Sequence, residues 1–282
     1  ANGNFVVVWE SANQDGSGEG IYAQRFNAAG DAQGSEFRIN TFTTGDQEFA
    51  EIAMNAAGQF VVTWTSAGQD GNDNGIYARR YSAQGVALSG DILVNSTTLD
   101  AQEFSAVAMA SDGSFVVTWD STGQDGSADG VYARSFGASG APLGAEFQVN
   151  TSTTQMQIAP VIAMRADGDY VVAWGDGSEA TYNVRAQRFA MPPIVAEVRA
   201  GISGGALAEN GTVRLATNQL VVAFDRDMSM AGGAGVTNFA NWSLLRDGVN
   251  VSSAISVITY GYNVVTGRYE ATITFATTLP VG

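Results

Sequence analysis

Phe60-Val61-Val62-Thr63-Trp64 returns as Phe115-Val116-Val117-Thr118-Trp119, and with small changes as Phe5-Val6-Val7-Val8-Trp9 and Tyr170-Val171-Val172-Ala173-Trp174. The four tryptophans stand 55 residues apart. Self-similarity at that period marks one supersecondary unit copied in tandem, each copy burying its apolar face on its neighbours. Within the phrase, Phe60, Val62 and Trp64 point one way and Val61 and Thr63 the other, and an extended segment apolar on both faces is covered on both. The phrase therefore predicts a strand sandwiched between neighbouring units, with Trp and Phe or Tyr as the packing residues.

Further phrases repeat in step with it. Glu36–Asn40 (EFRIN) matches Asp91–Asn95 and Glu146–Asn150, and Glu51–Met54 (EIAM) matches Ala106–Met109 and Val161–Met164. Ile21–Phe26 (IYAQRF) matches Ile76–Tyr81, Val131–Phe136 and, more loosely, Val184–Phe189. All are short, β-branched or aromatic, and bounded by Gly, Asn, Asp or Ser. Read in chain order, a unit has four strands: the EFRIN strand, the EIAM strand, the Trp strand and the IYAQRF strand. Four antiparallel strands per unit is the pattern of a propeller blade. From the first Trp strand to Phe189 the count is two strands, then four, four and four, which leads to the expectation of a chain truncated at its N-terminal side.

The pattern stops at Ala190-Met191-Pro192-Pro193. Beyond it, Ile194–Arg199, Gln219–Asp225, Asn241–Gly248 and Arg268–Ala276 alternate as short strands of a β-sandwich do. The expected fold class is all-β: β-propeller-type four-stranded repeats of period 55 over residues 1–190, then a β-sandwich over residues 191–282.

Of the 282 residues 45% are apolar, ample for real cores, and the formal net charge is −15. There is no cysteine, histidine or lysine; all 13 basic residues are Arg. Cys and His nucleophile or base arrangements, Schiff-base lysines and His- or Cys-ligated zinc are thereby excluded. Carboxylates, hydroxyls and Arg remain for chemistry. The acidity disfavours nucleic acid, whose phosphates need a basic stripe, and anionic membrane surfaces. No apolar run is long enough to insert in a membrane as a helix.

The first 190 residues resemble the FVVxW, QDG, IYAxRF repeats of large secreted or surface-anchored bacterial proteins, related in style to FG-GAP propellers. From Pro193 onward, LVVAFDRDMS (Leu220–Ser229) and GVTNFANWSLLRDG (Gly235–Gly248) look like the bacterial Ig-like domain of the S-layer-protein type. The resemblance implies that residues 191–282 are an Ig-like β-sandwich lacking its last strand, a surface spacer or connector, and an extracellular, cell-surface location.

The loops after the Trp strands carry Asp15, Ser17 and Glu19; Asp70, Asn72 and Asn74; and Asp125, Ser127 and Asp129, each set followed by Gly. Oxygen side chains at positions one, three and five before a Gly form the front half of a calcium loop, in which alternate residues turn inward around a hard cation and Gly permits the bend. Ca²⁺ is the expected cofactor if Glu36, Asp91 and Glu146 or a backbone carbonyl complete the shell, because position nine, a carboxylate in FG-GAP sites, is Ala23, Ala78 or Ala133 here. A hairpin loop held by Asx turns needs no metal and is the alternative. The fourth copy, Asp176-Gly-Ser178-Glu-Ala180, is shorter and degenerate. Tyr22, Tyr77 and Tyr132, beside these loops, are candidates for sugar contact.

No acidic constellation stands out against the repeat, and a catalytic carboxylate pair ordinarily breaks such symmetry. The leading expectation is accordingly a non-enzymatic structural or adhesive protein of the bacterial cell surface, a subunit of a layer, sheath or filament, with no catalytic residue. Its expected partners are copies of itself, cell-surface components or polysaccharide, with no nucleic acid and no direct membrane insertion. A carbohydrate-binding propeller module is the first alternative and a glycoside hydrolase fragment the second.

Overall fold

The computed structural model describes residues 3–166, 168–178, 181–191, 195–200, 217–224, 252–266 and 268–279, together with residues 237, 242, 245–246 and 249–250. The chain divides into two compact units, Ala1–Met191 and Pro192–Gly282. All the described elements are strands, apart from one 3₁₀ turn at Ser252–Ala254. Among the described residues no helix is long and apolar enough to cross a membrane.

Four antiparallel sheets build the first unit. The first contains β1 (Phe5–Ala12), β2 (Glu19–Phe26) and β3 (Phe37–Arg38). The second runs β4 (Gln47–Met54), β5 (Phe60–Ala67), β6 (Asn74–Tyr81) and β7 (Ile92–Leu93). The third repeats it with β8 (Gln102–Met109), β9 (Phe115–Thr122), β10 (Asp129–Phe136) and β11 (Phe147–Gln148). The fourth has β12 (Met156–Met164), β13 (Asp169–Ser178) and β14 (Thr181–Ala190). The sheets stand side by side in a propeller-like arrangement, with β8 beside both β4 and β12.

The EFRIN strand does not open a blade but closes the one before it: Phe37 and Arg38 pair with Ala23 and Tyr22, and Ile92 and Leu93 with Ala78 and Tyr77. The tight turns at Gly30 and Gly85, both at positive φ (87° and 79°), fold the chain back on the strand just left, where Ala32 bridges Phe26 and Ala87 bridges Tyr81. The strands therefore divide three, four, four and three rather than two, four, four and four.

Packing follows the two-residue period of the Trp strand. Phe60, Val62 and Trp64 join Ile21, Ala23 and Ile39 of the first sheet, while Val61 joins Phe115, Val117 and Trp119 of the third. Val116, on the opposite face of β9, packs with Tyr170, Val172 and Trp174 of the fourth. Each Trp thus faces the preceding sheet and the intervening residues face the following one. Trp64 and Trp119 are fully buried, as a strand covered on both faces requires.

Polar groups tie the sheets together at the same period. Asn40, Asn95 and Asn150 each accept at Oδ1 from Ile21, Ile76 or Val131 N–H at 2.8 Å. Their Nδ2 groups donate to Gln47, Gln102 and Gln157 Oε1 of the next sheet at 2.9, 3.0 and 2.9 Å. Both partners are buried, so each satisfies a group that would otherwise be costly to desolvate. Arg79 and Arg134 reach back to Ile39 and Val94 carbonyls at 2.7 and 2.9 Å. These bonds explain why the IYAQRF strand carries Arg.

In the second unit, β15 (Val195–Ala200), β16 (Thr217–Phe224), β20 (Arg268–Leu279) and β19 (Ile255–Asn263) form one antiparallel sheet in the order given, with a separate hairpin of β17 (Leu245–Arg246) and β18 (Val249–Asn250). Val222, Phe224, Ile258, Ala271 and Ile273 make its core. Most of the Leu220–Ser229 and Gly235–Gly248 phrases, and Pro280–Gly282, lie outside the described residues.

Candidate functional site

The Asp-x-Ser/Asn loops fold as Asx turns. Asp15, Asp70 and Asp125 accept at Oδ1 from Ser17, Asn72 and Ser127 N–H at 3.3, 3.1 and 3.1 Å. Their Oδ2 atoms accept from Asn40, Asn95 and Asn150 Nδ2 at 3.2, 3.5 and 3.3 Å. The remaining loop side chains are drawn elsewhere: Ser17 Oγ accepts from Gly45 N–H at 3.3 Å, Asn74 donates to Glu103, and Asp129 accepts from Thr122 Oγ1 at 2.8 Å. Glu19 donates its backbone N–H to Asp46 at 3.0 Å. Among the described residues, no group of three or more Asp or Glu is placed to hold a metal ion.

The Gly that ends each set has a different role from the expected one. A Cβ on Gly20, Gly75 or Gly130 would come within 2.7, 2.7 and 2.8 Å of the Asp15, Asp70 or Asp125 carboxylate, so these positions are kept small by contact. The bend itself falls at Gly16, Gly71 and Gly126, at φ of 102°, 95° and 86°. Asp91 and Glu146, considered as completing ligands, instead clasp the neighbouring sheet. Asp91 accepts from Thr41 N–H at 2.9 Å and Glu146 from Ser96 and Thr97 N–H at 2.5 and 3.1 Å. Burial works to raise the Glu146 carboxyl, but these bonds and one from Gln124 outweigh it and hold the group below its ordinary range. Glu36 accepts from Gln14 Nε2 at 2.7 Å.

Tyr22, Tyr77 and Tyr132 are buried rather than presented to a ligand, and burial pushes the Tyr77 hydroxyl up to about 12. The exposed rings lie elsewhere. Phe49 and Phe104, from the equivalent place in β4 and β8, are 41% and 44% exposed with centroids 4.6 Å apart. Both sit at positive φ, 55° and 51°, where the ladder to the Trp strand slips between Glu48 and Glu51 and between Glu103 and Ala106. A bulky side chain in that region is strained, and the bulge aims it out of the ladder.

The same bulge in β12 creates the most unusual titratable group. Register shifts between Ile158 and Val161, and Ala159, at φ 52°, turns its N–H out of the ladder. On β9 the residue after Trp119 is Asp120, which faces the fourth sheet by the two-residue period. Its Oδ2 accepts from Ala159 N–H at 3.1 Å. The side chain is 7% exposed and Oδ1 is buried with no acceptor or donor against it. Burial pushes the carboxyl up to about 8, against the lowering effect of the Ala159 bond and with the charges of Asp129 and Glu103 adding to the rise. A carboxyl raised that far is largely protonated at neutral pH.

Glu103 lies directly across the ladder from Asp120. Opposite residues of an antiparallel pair share a face with Cβ atoms about 5 Å apart. Together with Phe104, Asp129, Met156, Ile158 and Ala159 the two acids line a cleft of about 370 Å³. The equivalents of Asp120 in the other sheets are Glu10, Thr65 and Gly175. Glu10 braces the β4 bulge of the next sheet, accepting from Phe49 N–H at 2.6 Å, whereas buried Thr65 Oγ1 has no partner. The available signal was an acidic residue at the end of a buried strand, at a position whose identity changes from copy to copy.

No family model and no curated protein matches the chain. Solved structures do match in fold. An endo-arabinase from Bacteroides thetaiotaomicron is 10% identical with a TM-score of 0.42, over 67% of this chain and 72% of that one. An α-L-arabinanase from Penicillium chrysogenum, complexed with arabinobiose, is 12% identical with a TM-score of 0.45, over 67% and 55%. An α-L-arabinofuranosidase from Fusarium graminearum is 12% identical with a TM-score of 0.46, again over 67% and 55%. The chain thus matches about half the length of the two fungal enzymes. The likeness is one of all-β fold. The expectation of a non-enzymatic structural or adhesive protein with no catalytic residue rested on the lack of an acidic pair that breaks the repeat, and the Asp120–Glu103 pair is one. That reading is corrected and set aside.

Proposed function

We propose that the first unit is a β-propeller-type domain that cleaves glycosidic bonds, with Asp120 as the general acid and Glu103 as its carboxylate partner. The carrying observation is the pair itself: a buried carboxyl raised to about 8 opposite a second acid on one wall of a cleft. Two carboxyl groups in different environments, one kept protonated, is what acid-catalysed glycoside cleavage needs. The propeller reading is supported by neighbouring β4, β8 and β12 strands, each the first of its sheet. The sheet of the second unit supports an Ig-like sandwich.

In the chemistry proposed, Asp120 turns its carboxyl toward the cleft and gives its proton to the leaving glycosidic oxygen as the anomeric C–O bond breaks. Glu103 attacks the anomeric carbon, the close cross-strand spacing suiting a covalent ester rather than the ~6.5–9.5 Å gap of an inverting pair. Water then cleaves the ester, losing its proton to the Asp120 carboxylate, and both acids return to their starting forms.

A second reading, that Asp120 only braces the Ala159 bulge, is favoured by Glu10 doing so for Phe49. The test is reducing-end release from aryl glycosides and neutral polysaccharides by the full chain, by D120N and by E103Q, with circular dichroism to confirm folding. Turnover lost in both folded variants supports the acid–carboxylate pair. No turnover by the native chain across the panel between pH 5 and 8, or undiminished turnover in D120N, leaves only the brace.

A further inference from the structure

Phe49 and Phe104 are apolar, half exposed and held in a backbone region that bulky residues avoid. Burial does not explain them, since neither ring enters the cores between the sheets. Strain of this kind persists where surrounding structure imposes it, and here Glu10 fixes the Phe49 turn from the neighbouring sheet. The two rings touch each other and lie on one continuous surface with Glu10, Glu51 and Ser105. Phe104 also belongs to the wall of the Asp120 cleft. At the third equivalent position the ring is missing: Ala159 stands there, and the space a ring would take is the cleft. The bulge thus presents an aromatic face twice and an opening once.

We propose that Phe49 and Phe104 form a platform that binds neutral sugar residues of a glycan, adjacent to the bond held at Asp120. The apolar C–H face of a sugar ring stacks on an aromatic ring while its hydroxyls donate to carboxylates at the edge, which Glu10, Glu51 and Glu103 supply. The same carboxylates repel uronic acids, so an anionic glycan is excluded by charge. The identity of the ligand as a glycan rests on the reading of the Asp120–Glu103 pair; the platform itself rests on the exposed, strained rings.

The experiment is affinity electrophoresis of the full chain in gels containing arabinan, xylan or β-glucan as neutral polymers and polygalacturonate as the anionic one. At least one neutral polymer retards the native chain and polygalacturonate does not. Phe104→Ala and Phe49→Ala weaken the retardation about tenfold in apparent Kd. Phe104→Leu, which keeps apolar volume without a ring face, weakens it equally. D120N is retarded like the native chain while losing turnover, which separates binding at the platform from chemistry at the acid. Retardation by no neutral polymer, stronger retardation by polygalacturonate, or retardation unchanged in both Phe variants overturns the platform. A native chain that is retarded, and loses this in the Phe variants, but cleaves nothing keeps the platform and removes the acid.

Discussion

The second and third sheets are nearly the same object. Both place a fully buried Phe and Trp against the preceding sheet, both carry a buried Asn–Gln bridge, and both push a Phe out at a bulge or receive one from it. They part at the residue after the Trp. Thr65 faces the third sheet with an unpartnered hydroxyl, and Asp120 faces the fourth with a carboxyl that burial keeps protonated. A tandem repeat supplies positions and directions; chemistry enters where one copy departs from the others.

Making the third sheet like the second should have the largest effect. Removing a general acid costs about 10²–10⁴ in rate, so D120T and D120N should lower kcat by roughly a thousandfold on any glycoside the chain cleaves. The pH profile of the native chain should fall on its alkaline side with an apparent pKa near 8. The Asp120 acid limb should be missing from the residual activity of the variants.

Next comes stability against pH. Asp120 is raised in the folded chain, from an ordinary 3.8 to about 8, so between those values the folded chain holds a proton that the unfolded chain has released. Stability is fullest below about pH 4 as far as this group is concerned, and it is lost as pH rises toward 8, by on the order of a few kcal/mol. Other carboxylates add their own slopes; Glu146, held low, contributes in the opposite sense and loses its share as pH falls through its folded value. Urea unfolding at pH 5 and pH 8 should show a smaller loss in D120N than in the native chain. An identical loss in both would mean that Asp120 is ionised when folded.

The parts shared by the two sheets were the parts legible in the sequence. Phe60–Trp64 and Phe115–Trp119 announce a doubly covered strand because period-two alternation and a fixed repeat act on the same residues. The pairing of Phe37–Arg38 was not legible, because chain order does not say whether a short strand after a turn joins the sheet before it or after it. Asp120 was visible as a residue but not as an acid. Its character comes from the fourth sheet, which buries the carboxyl, and the N–H freed by the bulge at Ala159, 39 positions away, offsets only part of that rise. Phe49 and Phe104 stand two residues before the Glu51–Met54 and Ala106–Met109 phrases, and nothing local in the sequence marks the bulge that turns them outward.

A smaller and equal effect is expected at the bridges. Q47A and Q102A each remove one acceptor from a buried Asn amide, which keeps the Phe42 or Thr97 carbonyl, and take the Gln donor from two loop carbonyls, which together should cost about 2 kcal/mol in either sheet. Unequal losses in urea unfolding would show that the sheets are not interchangeable even where their side chains agree.

The smallest effect should come from Thr65. Its hydroxyl is buried without a hydrogen bond, whereas the neighbouring Thr118 donates to the Tyr132 carbonyl at 2.8 Å. Replacing a hydroxyl by a methyl removes a desolvation cost at Thr65 and a made bond at Thr118. T65V should therefore leave stability within about 0.5 kcal/mol of the native chain or raise it, and T118V should lower it by about 1 kcal/mol. A clear destabilisation by T65V would mean that the hydroxyl has a partner in solution, and that the second sheet uses this position to brace the Phe104 bulge as Glu10 braces that of Phe49.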